Sequence, residues 1–173
     1  MNIVLIGYRG TGKSTVAKIL SEYLRWPVFN MDQAIVAEAG MSIPQIVANY
    51  GWEFFRDLEA KITKKASKQD RTIIDAGGGV VIRPENIEHL RNNGIVIWLK
   101  ANPETIVARI REDTNRPSLT GGKTFLEEVE EVLTERIPKY RSAAHLEIDT
   151  EGLLPQEVAE EILKVINERI ARD

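Results

Sequence analysis

Eight residues near the start of the chain, Gly7-Tyr8-Arg9-Gly10-Thr11-Gly12-Lys13-Ser14, restrict the fold more than any other segment. They match G-x-x-x-x-G-K-[ST], a spacing whose glycines let the backbone curl until several N–H groups point inward at phosphate oxygens. An apolar run, Ile3 to Ile6, precedes the loop, and Val16, Ile19, Leu20, Tyr23 and Leu24 follow it at helical spacing. A strand, a tight loop and a helix in that order place the positive end of the helix dipole at the phosphates. In such a loop Lys13 reaches the β- and γ-phosphates and the Ser14 hydroxyl ligates Mg²⁺. Gly10, Thr11, Gly12, Lys13, Ser14 and Thr15 together are the expected nucleotide-binding residues.

The rest of the chain has the alternation that such a loop requires. Val28 to Asn30, Thr72 to Asp75, Ile95 to Leu99 and Leu146 to Ile148 read as further strands, with helical patterns between them. A last helix from about Pro155 sets Val158, Ile162, Val165, Ile166 and Ile170 on one face. Alternating strands and helices predict an α/β fold of three layers: a five-stranded parallel sheet covered by helices on both faces. Ligands of such sheets bind beyond the carboxyl ends of the strands. The polar segment 112–125, with Gly121-Gly122, breaks the pattern and is expected to be a mobile lid. No repeat or linker divides the 173 residues, so a single domain over 1–173 is expected.

Composition removes several function classes. A net charge of -3 argues against nucleic acid as a partner, and the absence of cysteine excludes disulfides and thiol catalysis. The opening MNIVLIG is too short for a signal core or a membrane span, so a cytoplasmic protein is expected, and the scattered charges give no reason to expect more than a monomer. No N-K-x-D guanine-reading segment is present, and the chain is short for an adenylate-type kinase. A small-metabolite kinase fits best.

Five further segments, in order, sharpen that reading. They are Asn30-Met31-Asp32, Gly51-Trp52-Glu53-Phe54-Phe55-Arg56-Asp57-Leu58-Glu59, Gly77-Gly78-Gly79, Arg116-Pro117-Ser118-Leu119 and Arg136-Ile137-Pro138-Lys139-Tyr140. Respectively they resemble the D-x-D, G-E-x-x-F-R-x-x-E, triple-glycine, R-P-L-L and R-x-P-x-Y elements of the shikimate kinase family. The resemblance runs over essentially the whole chain and implies ATP, Mg²⁺ and shikimate as ligands. It implies a substrate region at about 31–62, with Arg56 and Arg136 on the shikimate carboxylate. Bidentate, charge-assisted bonds suit that pairing. It further implies Asp32 at the reacting hydroxyl, Glu59 orienting Arg56, and Phe55 and Gly77, Gly78 and Gly79 close to the ring. Arg116 on the lid would neutralise the transferring phosphoryl group. Arg109 and Pro155 would flank the adenine.

The chain departs from the family pattern at informative places. Asn30 stands where the family has a carboxylate that helps hold Mg²⁺, generally through water. Asp75 stands at the end of the third strand, where a phosphate-loop protein commonly keeps its metal-associated Asp, and is expected to supply the missing charge. A turn-capping Asp is the plainer alternative there. Trp52 replaces a glutamate, and Ser118 a leucine. Two other functions remain consistent with these residues: a related kinase of the gluconate type, and a non-catalytic nucleotide-binding homologue.

Overall fold

The computed structural model describes residues 1–111 and 124–170. The described chain alternates between strand and helix: β1 (Asn2–Ile6), α1 (Lys13–Leu24), β2 (Val28–Asn30), α2 (Met31–Ala39), α3 (Ile43–Ser67) and β3 (Ile73–Asp75). After one 3₁₀ turn (Val80–Ile82) come α4 (Pro84–Asn92), β4 (Gly94–Lys100), α5 (Pro103–Ile110), α6 (Phe125–Ala143), β5 (Leu146–Asp149) and α7 (Pro155–Ile170). The five strands form one sheet in the order β2-β3-β1-β4-β5, with every neighbouring pair parallel. Parallel strands are joined by crossovers that lay helices on both faces, which is why β1 and β4 read as unbroken apolar runs. The α/β architecture expected from the sequence is thus present.

Side-chain alternation along the strands separates two cores. Ile3 and Leu5 of β1 point to one face, with Ile73, Ile95, Ile97, Leu99 and the apolar sides of α1 and α7. Val4 and Ile6 point to the other, which holds Met31, Ile35, Phe55, Ile74, Trp98 and Tyr140. On α1, Val16 and Leu20 are buried and Ile19 and Leu24 pack partly buried against the same core, but Tyr23 is 69% exposed and stands outside the stripe its spacing implies. On α7, Val158, Ile162 and Ile166 are buried and Val165 is half-buried.

Local signals set the helix ends. Ser42 opens α3 with a reciprocal capping box to Gln45, and Thr124 does the same for α6 with Glu127. Thr124 and Phe125 therefore belong to the start of α6, although polar composition assigned them to the lid. The remaining lid residues, 112–123, lie outside the described residues. Among the described residues no helix is long and apolar enough to cross a membrane.

Candidate active site

The glycine-rich loop leaves the carboxyl end of β1 and turns into α1. Gly7, Gly10 and Gly12 hold φ of 144°, 82° and 93°, a left-handed region that side chains disfavour. Lys13, only 8% exposed, folds back over the loop, and its Nζ donates to the carbonyls of Gly7 at 2.8 Å and Tyr8 at 3.0 Å. Arg109 on α5 crosses to the same loop and donates to the Gly10 carbonyl at 2.9 Å. Pro155 opens α7, beyond the end of β5.

Beside the loop, the ends of β2 and β3 meet. Asn30 and Asp75 are register partners across these parallel strands. The Ser14 hydroxyl donates to Asp75 Oδ2 at 2.5 Å, and Asn30 Nδ2 donates to the same oxygen at 3.1 Å. Asn30 Oδ1 accepts from the Gln33 N–H at 2.9 Å, so it caps α2. The carboxylate beside Ser14 is thus that of Asp75, and the oxygen of Asn30 is committed to the helix. A hydroxyl beside one carboxylate suits Mg²⁺, which keeps several waters rather than filling its shell from protein. No cluster of three or more His, Asp or Glu suited to a metal occurs among the described residues.

A cavity of about 900 Å³ opens from this corner, lined by Lys13, Ser14, Thr15, Asp32, Gly77 and Gly78 among others. Two buried arginines flank its glycines. Arg56, 7% exposed, donates from Nη1 to Glu59 Oε1 at 2.9 Å. Its guanidinium carbon lies 5.2 Å from the centre of the fully buried Phe55 ring. It presses so closely on Gly79 that a Cβ there would sit 2.1 Å from Nη1. Arg136, also 7% exposed, approaches Gly78, where an added Cβ would be 3.7 Å from its Nη1. Its guanidinium carbon stands 6.0 Å from the centre of the Tyr8 ring. Burial pushes the Tyr140 hydroxyl up to about 12, against the opposing pull of Arg136, and that hydroxyl donates to the Gly78 carbonyl at 2.5 Å. Burial also raises Tyr8, with the guanidinium groups of Arg9 and Arg136 acting in the opposite direction. Both phenols stay neutral at physiological pH.

The structure therefore brings together the loop residues, Asp32, Arg56, Glu59, Phe55, Gly77 to Gly79, Asp75 and Arg136. Arg109 joins them through the loop, whereas Arg116 lies outside the described residues. Two features escaped the sequence reading. Tyr140 anchors the glycine stretch, and its place in the R-x-P-x-Y element was the available signal. Arg9 approaches Glu128 of α6 at 3.9 Å with both side chains largely buried. No spacing rule links residues so far apart in the chain.

Comparison with known proteins gives a consistent result. A family model described as shikimate kinase matches residues 9–167. The shikimate kinase of Thermodesulfovibrio yellowstonii is 40% identical over 163 residues, covering 94% of this chain and 93% of that protein. That of Symbiobacterium thermophilum is 40% identical over 170 residues, covering 98% of each. Among solved structures, shikimate kinase from Acinetobacter baumannii in complex with shikimate superposes with a TM-score of 0.92. It has 31% identity and covers 97% of this chain and 93% of that one.

Proposed function

The chain belongs to the shikimate kinase family, and we propose that it transfers the γ-phosphoryl group of ATP to shikimate. The products are shikimate 3-phosphate and ADP, on the route to aromatic amino acids. One observation supports this acceptor above others: two buried arginines converge on Gly78 and Gly79 beside the phosphate loop. A carboxylate is the group that two such guanidiniums bind best when phosphate is already accommodated elsewhere. Glu59 fixes the orientation of Arg56, and Tyr140 fixes the glycine backbone against which the ring would lie.

The chain's residues divide the work. Gly10 to Thr15 cradle the nucleotide phosphates, with Arg109 and Pro155 toward the adenine. Asp32 accepts a hydrogen bond from the reacting hydroxyl, whose oxygen attacks the γ-phosphorus as the bond to the β-phosphate oxygen breaks. Asp32 is also the group placed to take the released proton. Lys13 leaves the loop carbonyls for the phosphates, and Arg116 adds positive charge there. Ser14 and Asp75 would hold the Mg²⁺ that neutralises phosphate charge, Asp75 through water, while Asn30 steadies Asp75 with its amide. Positioning and charge stabilisation, rather than covalent catalysis, carry a loose phosphoryl transfer. We read residues 1–173 as one cytoplasmic, monomeric catalytic unit, with a substrate region at about 31–62 and a closing segment at about 112–123.

ADP release from MgATP, with and without shikimate, tests the reading. Turnover should depend on shikimate, and Arg136→Ala should lower kcat/KM by roughly 30-fold or more, the scale of a lost buried charge pair. ATP turnover indifferent to shikimate would point to a gluconate-type kinase or another acceptor. Tight nucleotide binding without turnover would point to a non-catalytic homologue.

A further inference from the structure

Arg56 is held from more sides than its ion pair alone. At Gly51 the helix α3 is interrupted, with φ of 86° and ψ of 171°, and helical geometry resumes at Trp52. Only glycine adopts that conformation without strain. From the restart, Trp52, Phe55, Arg56 and Glu59 follow at spacings of three or four and share one side of the helix. The Trp52 ring meets Phe55 edge-on, at 5.6 Å between centres and an interplanar angle of 90°. The Arg56 guanidinium carbon lies 5.4 Å from the centre of the Trp52 ring and 5.2 Å from that of Phe55. Glu59 takes one edge of the guanidinium, and the Gly79 backbone stands against it.

We propose that Trp52 is a positioning residue for the carboxylated substrate, orienting Arg56 through its ring. This rests on the reading of Arg56 as a carboxylate-binding group. The chemistry of the position gives the reason. Trp52 stands where the family pattern has a glutamate, and a carboxylate so near Arg56 would compete with the substrate's own. An aromatic face attracts the cation by its quadrupole and adds no second carboxylate beside that of Glu59. The ring also shields one side of the guanidinium from water, which strengthens its attraction for an anion. Trp52 is half-buried and packs on the core that contains Phe55, so its ring has little rotational freedom.

Steady-state kinetics on Trp52→Phe and Trp52→Leu test this, with Arg56→Ala measured alongside. Trp52→Leu keeps apolar bulk without a π face and should raise the KM for shikimate by roughly 3- to 10-fold. The KM for ATP and the melting temperature should change little, and Trp52→Phe should retain near-normal KM. If Trp52→Leu folds poorly, Trp52→Met serves as the apolar variant. A shikimate KM unchanged in Trp52→Leu overturns the proposal. So do equal losses in the Phe and Leu variants accompanied by a lower melting temperature, which indicate packing alone. Arg56→Ala distinguishes the two levels. An unchanged shikimate KM there removes the carboxylate reading itself, and with it this proposal. A large rise there with a silent Trp52→Leu removes only the role of Trp52.

Discussion

Asp75 and Gly79 show how much a single side chain, or the lack of one, decides at this site. Asp75 is 5% exposed and shares its Oδ2 with the Ser14 hydroxyl and the Asn30 amide. Asp75→Asn should raise the Mg²⁺ concentration for half-maximal activity about tenfold or more, read from a magnesium titration at saturating ATP. Adding Asn30→Asp should recover part of the loss, since the two positions face each other across β2 and β3. A superimposable titration for Asp75→Asn would show that the carboxylate serves only the turn. At Gly79, φ of -96° suits any residue, so an alanine strains nothing in the backbone. Its methyl would instead collide with the end of Arg56, which can swing away. Gly79→Ala should therefore raise the shikimate KM about tenfold or more while leaving nucleotide binding and melting temperature near normal; a normal KM would mean that Arg56 need not sit where it does. The place of Asp75 beside Ser14 was legible in the sequence because its position relative to the strand end was. The tightness at Gly79 was not, because a glycine run says only that something comes close.

Secondary-structure elements carry a second set of dependencies. β5 is prolonged backward by His145, whose N–H donates to the Val96 carbonyl at 2.7 Å and whose Nδ1 accepts from the Val96 N–H at 2.9 Å. Burial is the main cause holding the His145 pKa below 6.5, with Arg91 and Arg169 acting in the same direction. Arg91 is there because it donates to the Ala143 carbonyl at the end of α6, at 2.8 Å. The folded state thus binds the imidazole proton less readily than the unfolded chain does. The stability contributed by neutral His145 is complete above pH 6.5 and is lost as pH falls through the lower folded value. Urea midpoints should drop more between pH 7.5 and pH 5.5 for the wild type than for His145→Asn, whose amide oxygen accepts at any pH. Parallel drops would assign the acid sensitivity elsewhere. The pairing of His145 with Val96 was not legible in the sequence, since it depends on how β5 docks. Helix and strand existence was readable from periodicity, as for β2, whose bounds are those expected. The break in α3 was not: Gly51 interrupts a pattern that runs apolar on both sides of it.

Across the whole molecule, the sheet divides labour between its faces. Phe55, Tyr8 and Tyr140, which support the arginines, belong to one core, and the packing of α7 against α1 belongs to the other. Ile162 on α7 is fully buried in that second core. Ile162→Ala should cost about 2–5 kcal/mol of stability, measured by urea unfolding, with the shikimate KM unchanged. A changed KM would show that the sheet transmits strain between its faces. The phosphate loop, Asn30-Met31-Asp32 and Gly77-Gly78-Gly79 follow the ends of β1, β2 and β3, which are neighbours in the sheet, whereas the motifs at 51–59 and 136–140 lie in α3 and α6. What the sequence left unstated is which side of the sheet each helix covers. The first turn of α1, with Lys13 and Ser14, and the start of α7 at Pro155 are where the helices of that face meet the chemistry. The rest of that face is a reserve in which thermal tolerance can be adjusted behind a barrier one strand thick, leaving the chemistry in front undisturbed.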